Sequence, residues 1–283
     1  MVEAPVRLGP LLRDAAGRLR LAGIEAPSHE ARLLWASASQ SDPVTWQPTD
    51  SSVEVELQSA MESLLQRRLA GAPLAHVTGL AGFRRLLLHS DSRGLIPRPE
   101  TEGLVELLLG LVARGAVADL GTGSGCIALS LADEGSFDRV IGVDRSVDAL
   151  ALARYNRGLT GFPVDLIAGD WLAPLRGQRF DALVSNPPYL TEAEYQGLDR
   201  GVRAFEPRDA LASGEDGLSA TRQLLRDGQG NLKPRGWLAM ELDCRRAAAS
   251  AELAQEFGWI SVSVQDDLFG RARYLLAQRS ETA

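Results

Sequence analysis

Asn186, Pro187, Pro188 and Tyr189 follow directly on the apolar run Ala182 to Val184, and together they could clamp a planar nitrogen. An amide or an exocyclic amine offers two N–H donors and almost no free lone pair. The Asn186 side-chain oxygen can accept one of those donors. The Pro187 carbonyl, stiffened because a second proline follows, can accept the other. Tyr189 supplies an aromatic wall for a flat group. Fixed acceptors of this kind hold the nitrogen in line and let its lone pair localise as charge develops. A simple proline-rich turn would use the same four residues, so their neighbours decide.

Three further segments carry groups suited to a nucleoside. Gly121-Thr122-Gly123-Ser124-Gly125 lies between an apolar run, Val117 to Leu120, and a helical pattern from Cys126. Glycines let the backbone approach a ligand, and a helix start offers free N–H groups. No Lys-Ser/Thr pair follows, so this is not a phosphate loop, and dinucleotide spacing would need glycine at Cys126. The next run, Val140 to Val143, ends in Asp144, whose carboxylate can take both hydroxyls of a ribose. Asp144 or Ser146 could equally cap the helix that begins at Val147. Val164 to Ala168 then leads into Gly169-Asp170-Trp171, where Asp170 can reach an adenine amino group and Trp171 can pack on its ring. Each segment alone fits a structural role. In succession, and followed by Asn-Pro-Pro-Tyr, they describe a nucleoside site beside a nitrogen clamp.

The elements that must carry these groups are those of an α/β fold. Short apolar runs alternating with helical patterns predict a parallel sheet, and ligands bind such sheets beyond the carboxyl ends of the strands. Prolines 187 and 188 forbid further ladder bonding and so end their strand there. Upstream, residues 5 to 70 read as helical. Leu8, Leu11, Leu12, Ala15 and Leu19 form one stripe with Gly23 as its stop, and Pro27-Ser28 opens a second helix burying Leu33 and Leu34. Ser51 and Glu54 have capping-box spacing ahead of a third stripe through Leu57, Met61, Leu64, Leu65 and Leu69. Ala75 to Val77 and Phe83 to Leu88 read as extended, with turns at Gly79 and Gly82, which predicts a hairpin. Pro97-Arg98-Pro99-Glu100-Thr101-Glu102 makes a sound helix start on dipole grounds, leaving Arg98 unexplained.

Bulk properties narrow the class. A net charge of −7 over 283 residues argues against general affinity for nucleic-acid backbones. Two cysteines and three scattered histidines give no disulfide framework and no metal site. No signal peptide or membrane-spanning run is evident, so a soluble, cytoplasmic chain is expected.

The motifs resemble those of S-adenosylmethionine-dependent methyltransferases that modify amino groups. Three blocks are more specific: Gly94-Leu95-Ile96-Pro97-Arg98-Pro99-Glu100-Thr101-Glu102; Phe205-Glu206-Pro207-Arg208-Asp209-Ala210-Leu211 with Ser213 to Leu218; and Gln265 to Arg273. They are similar to the protein-(glutamine-N5) methyltransferases of the HemK/PrmC family, and Leu190 to Leu211 lies closer to the release-factor branch. The resemblance implies a seven-stranded class I, Rossmann-like methyltransferase domain over residues 98–283, preceded by a helical substrate-recognition domain over 1–72 and a β-hairpin linker over 73–97. It implies S-adenosylmethionine as cofactor and S-adenosylhomocysteine as product. Gly121, Thr122, Gly123, Ser124, Gly125, Asp144, Asp170, Trp171 and Asn186 would bind the cofactor. Asn186, Pro187 and Tyr189 would be catalytic, with Pro188, Arg98 and Glu102 joining them around the substrate. The implied substrate is the glutamine of the Gly-Gly-Gln loop of peptide chain release factors. A ribosomal-protein glutamine and, further off, an adenine N6 of nucleic acid are the alternatives. A monomer without metal and without direct nucleic-acid or membrane binding is expected. Two segments depart from the family pattern: Ala81-Gly82-Phe83, where the family has Arg-Glu-Phe, and Glu241-Leu242-Asp243-Cys244-Arg245-Arg246, where it has Glu-x-Gly-x-x-Gln.

Overall fold

Residues 6–42 and 48–281 are described by the computed structural model of this chain; the parts of the expected domains at 1–5, 43–47 and 282–283 lie outside the described residues. The chain forms two compact units. One comprises the described residues up to Gly79 together with Arg200–Phe205, and the other comprises Leu80–Asp199 and the described residues from Glu206 onward.

The first unit is helical: α1 (Leu8–Leu21), α2 (Pro27–Ser39), α3 (Val55–Leu69) and the short α4 (Leu74–Thr78). Leu8, Leu19, Leu34, Trp35, Met61 and Leu65 form its buried core, and Phe205 packs against that core. Gly23 ends α1 in the left-handed region, at φ 81°. Two sequence expectations fail here. The Ser51–Glu54 capping box does not form: Glu54 is the N-cap of α3 without a side-chain cap. Ser51 is spent instead on the strand-like bridge between Arg7 and Ser52, where its carbonyl accepts from the Leu8 N–H. Ala75 to Val77 is helical rather than extended. The Pro73 carbonyl accepts from both the His76 and Val77 N–H groups, and Gly79 closes the turn at φ 75°.

The second unit begins with a hairpin, β1 (Leu80–Phe83) and β2 (Leu86–His89), turned at Arg84-Arg85 rather than at Gly82. Then follow α5 (Pro99–Leu111), β3 (Arg114–Leu120), α6 (Cys126–Glu134), β4 (Ser136–Asp144), α7 (Val147–Thr160), β5 (Val164–Ala168) and β6 (Phe180–Ser185). Beyond them lie α8 (Glu192–Gln196), α9 (Arg200–Phe205, in the helical unit), α10 (Ser219–Gly228), β7 (Leu232–Glu241), α11 (Ala247–Glu256), β8 (Ile260–Asp266) and β9 (Ala272–Gln278). The seven sheet strands are ordered β5-β4-β3-β6-β7-β9-β8. β9 runs antiparallel to both of its neighbours, and every other pairing is parallel. This is the expected seven-stranded Rossmann-like sheet. Its central strands bury both faces, and Val117, Ala118, Ile141, Val143 and Ala182 to Val184 are all inaccessible or nearly so. That is why they read as continuous apolar runs and not as alternating ones. The order reverses between β3 and β6, so the carboxyl ends of β4, β3 and β6 frame the crevice where such sheets bind ligands.

Asn156 on α7 locks the hairpin to this frame. Its side-chain oxygen accepts from the His89 N–H at 2.7 Å, and its NH2 donates to the carbonyls of His89 and Ser124. Replacing it with leucine leaves buried backbone groups without partners, each costing about 1–3 kcal/mol. Asn156→Leu is therefore expected to destabilise by about 3 kcal/mol in denaturant unfolding. A loss under about 0.5 kcal/mol, the level of a neutral surface change, would refute that role.

Candidate active site

The loop after β3 is held by a short chain of hydrogen bonds. Gly121 and Thr122 donate their N–H groups to the Val143 carbonyl, at 2.8 and 2.9 Å. The Thr122 hydroxyl donates to Asp119 at 2.6 Å beneath it. Burial, the largest influence on Asp119, pushes its carboxyl up to about 7, against the opposing Thr122 hydrogen bond. Gly121, Gly123 and Gly125 all have positive φ, which L side chains rarely adopt. At Gly121 a Cβ would also lie 3.2 Å from the Trp171 ring.

Asp144 links the glycine loop to the start of α7. Oδ2 accepts from the Gly123 N–H and Oδ1 from the Ser146 N–H, each at 2.9 Å. A carboxylate oxygen has capacity for a second donor, so hydroxyl recognition remains open to both. Ser146, not Asp144, caps α7 by accepting from the Ala149 N–H. Asp170 is exposed at the end of β5, and Trp171 sits at φ 46°, an uncommon conformation for a bulky residue. Such backbone outliers concentrate at ligand sites.

Gly121 to Ser124, Asp144, Asp170, Trp171, Asn186, Pro188 and Arg98 line one cavity of about 870 Å³, whereas Gly125 is not on its wall. Its size lies within the roughly 300–1,000 Å³ that hold small ligands. Pro187 is buried and Tyr189 half-buried, and neither lines this cavity. Burial and the nearby Glu241 charge push the Tyr189 phenol up to about 12, so it stays protonated. The segment then returns on itself: Leu190 forms a bridge with Ala212, exchanging backbone hydrogen bonds with Leu211 and Ser213.

Asn186 is oriented from behind. Its Nδ2 donates to the Thr101 hydroxyl at 3.0 Å, and that hydroxyl donates to Glu241 Oε2 at 2.6 Å. Arg98 is explained by Glu206, whose two oxygens it contacts at 2.6 and 2.7 Å; Glu206 also accepts from the Ile96 N–H. Glu102 is not brought to the cavity. It accepts from the Arg84 N–H at 3.0 Å and fixes the hairpin turn, where Arg84 adopts φ 50° and pairs with Glu134.

Thr101, Glu206 and Glu241 lie inside quoted motifs, yet their roles depend on contacts across 85 to 140 residues. Nothing local to them signals those partners. The departure after β7 is a rebuilt corner. Asp243 accepts from the Arg245 N–H and pairs with Arg245 and Arg246, and both arginines also reach Glu194. Glu194 in turn completes a capping box with Thr191 at the start of α8. The hairpin departure is absorbed by packing, since Ala81 and Phe83 are buried.

Residues 10–79 match the family described as PrmC N-terminal domain, and residues 100–200 match that described as Methyltransferase small domain. A release factor glutamine methyltransferase of Deinococcus radiodurans is 37% identical over 97% of this chain and 99% of its own length. One from Moorella thermoacetica is 40% identical over 95% of this chain and 98% of its own length. Among solved structures, a methyltransferase from Pyrococcus furiosus aligns with a TM-score of 0.51 at 19% identity, covering 78% of this chain and 99% of that one, which bears on the fold alone. With such identity across nearly the full length of the relatives, the chain belongs to the release factor glutamine methyltransferase family.

Proposed function

We propose that the cavity binds S-adenosylmethionine and that the protein moves its methyl group to the side-chain amide nitrogen of the glutamine in the Gly-Gly-Gln loop of peptide chain release factors. The observation that carries this reading is that Asn186, the first residue of the clamp, lines the same cavity as Gly121 to Ser124, Asp144, Asp170 and Trp171. Bound there, the cofactor would supply an electrophilic methyl group on a sulfonium. The glycine loop would hold its amino-acid part, Asp144 its ribose hydroxyls, and Asp170 with Trp171 its adenine. S-adenosylhomocysteine is the product.

The remaining work falls to the residues after β6. Asn186 Oδ1 and the Pro187 carbonyl each take one N–H of the glutamine amide, drawing its lone pair out of conjugation and into line. Tyr189 borders the glutamine side chain as a neutral phenol. No base is needed before transfer: the new N–C bond would form as the sulfonium's S–CH3 bond breaks to leave a neutral thioether, and the surplus nitrogen proton would pass to solvent. Arg98, fixed by Glu206, holds the rim. Offered a release factor, ribosomal proteins and RNA together with labelled cofactor, the protein is expected to label the release factor. Label in a ribosomal protein or in RNA would select one of the alternatives.

The helical unit is assigned to substrate recognition, since a single glutamine loop gives little surface for selectivity. Leu21, at 90% exposure, and Val55, at 70%, are the most exposed large apolar side chains of that unit among the described residues. Leu21→Asp combined with Val55→Asp is expected to raise KM for the release factor several-fold with cofactor Kd unchanged. An unchanged KM would remove that assignment. Among the described residues no helix is long and apolar enough to cross a membrane. A cytoplasmic monomer, free of nucleic-acid binding, completes the proposal.

A further inference from the structure

We propose that Glu241 and Thr101 are positioning residues that fix which face of the Asn186 carboxamide meets the substrate. This rests on the clamp reading of Asn186 and deepens it. An asparagine side chain has two nearly isosteric ends, an acceptor oxygen and a donor NH2, and a 180° rotation exchanges them. Only the oxygen can accept from a substrate amide; an NH2 in its place would set donor against donor. Something behind Asn186 must therefore choose.

The choice follows from proton counting along the chain of contacts. A Glu241 carboxylate is an acceptor only, so the Thr101 hydroxyl, 2.6 Å away, must spend its one proton on it. The Thr101 oxygen is then left with lone pairs alone and can only accept. Asn186, 3.0 Å from it, must turn its NH2 that way. The carboxamide oxygen is left for the substrate. Glu241 and Thr101 are 1% and 2% exposed, so water does not compete for these positions. The two residues reach Asn186 from the end of β7 and from the start of α5, which packs on β7.

Titratable groups face the relay from several elements. Arg273 and Tyr274 face Glu241 from β9, Arg98 and Glu100 from the start of α5, Tyr189 from the segment after β6, and Cys126 from α6. Burial is the largest influence on Glu241 and pushes its carboxyl up to about 7, with the Thr101 hydrogen bond and Arg273 opposing. The carboxylate form is thus present above that pH and lost below it. Once protonated, Glu241 can donate to Thr101, whose proton is then free to point at Asn186, and the choice of face is lost. An acid limb in kcat near pH 7 is the consequence.

The test is single-turnover and steady-state methyl transfer to a release factor, from pH 6 to 8.5, by wild type, Thr101→Val, Thr101→Ser and Glu241→Gln. Cofactor Kd is measured alongside. Thr101→Val keeps the shape and loses the hydroxyl; it is expected to lower kcat by about 10–100-fold, with cofactor Kd within about twofold and no acid limb near pH 7. Thr101→Ser keeps the relay and is expected to recover most of the rate and the limb. Glu241→Gln does not titrate and is expected to give a kcat flat through that range. Burial also pushes the Asp119 carboxyl up to about 7, but that group lies under the glycine loop and would act on cofactor KM in all four proteins. Equal losses in the valine and serine variants, or a limb persisting in Glu241→Gln, would overturn the relay. Should Thr101→Val not fold, the glutamine variant decides alone. Normal rates in Thr101→Val beside a crippled Asn186→Ala would sink the relay and keep the clamp. Normal rates in both would sink the clamp itself.

Discussion

Asn186→Ala is expected to lower kcat by about 10²–10³-fold, the loss seen when one preorganised hydrogen-bond partner of a transition state is removed, while cofactor Kd changes little. The asymmetry follows from where the residue sits. The amide nitrogen is a poor nucleophile in its planar ground state, and the hydrogen bonds that Asn186 and the Pro187 carbonyl would make to it strengthen only as the nitrogen becomes cationic. An interaction stronger in the transition state than in the ground state appears in kcat. The proposed cofactor contacts lie chiefly with other groups on the cavity wall: Gly121 to Ser124, Asp144, Asp170 and Trp171. The alanine also leaves the Thr101 hydroxyl without its donor, a modest addition in a buried place. Stopped-flow or quench measurement of a single turnover, with cofactor binding followed by calorimetry, separates the two quantities. A tenfold or greater loss of cofactor affinity at a near-normal kcat would mean that Asn186 belongs to the cradle and not to the clamp.

Asp144→Ala is expected to give the reverse pattern. Its carboxylate would offer two charge-assisted hydrogen bonds to the ribose, each worth about 1.5–3 kcal/mol. Losing both should weaken cofactor binding by about 10²-fold or more. The change has a second cost, because the same carboxylate anchors the Gly123 N–H of the loop and the Ser146 N–H at the start of α7. Asp144→Asn retains one acceptor oxygen and is expected to fall between alanine and wild type. With saturating cofactor, kcat of either variant should recover to within about an order of magnitude. Calorimetric affinities unchanged in Asp144→Ala would show that the carboxylate serves only the loop and the helix start.

The parts of this site that were legible in the sequence are those whose chemistry is local. Asn186 announces itself because two prolines must end the strand that precedes it, and Asp144 because a carboxylate directly follows a run of buried aliphatics. The glycine loop was legible for the same reason, since three left-handed turns leave little choice of residue. Arg98 stood out as unexplained, and the structure supplies Glu206, 108 positions away, as its partner. Thr101 reads locally as an ordinary first-turn residue, and Glu241 as the end of a strand. Their relay exists only because β7 is parallel to β6 and α5 packs across it. Glu102, in the same motif, is likewise placed by a distant contact, accepting from the Arg84 N–H at the hairpin turn. The same distance problem explains Ser51, whose capping pattern loses to a bridge with residues some forty positions earlier.

The most direct test of the account is transfer of labelled methyl groups to a purified release factor, beside the same factor with its Gly-Gly-Gln glutamine changed to alanine. Label on the unaltered factor alone is the expected result, and it would tie the clamp at Asn186 to a glutamine amide. Equal label on both would contradict the account, because the cavity would then be methylating something other than that nitrogen.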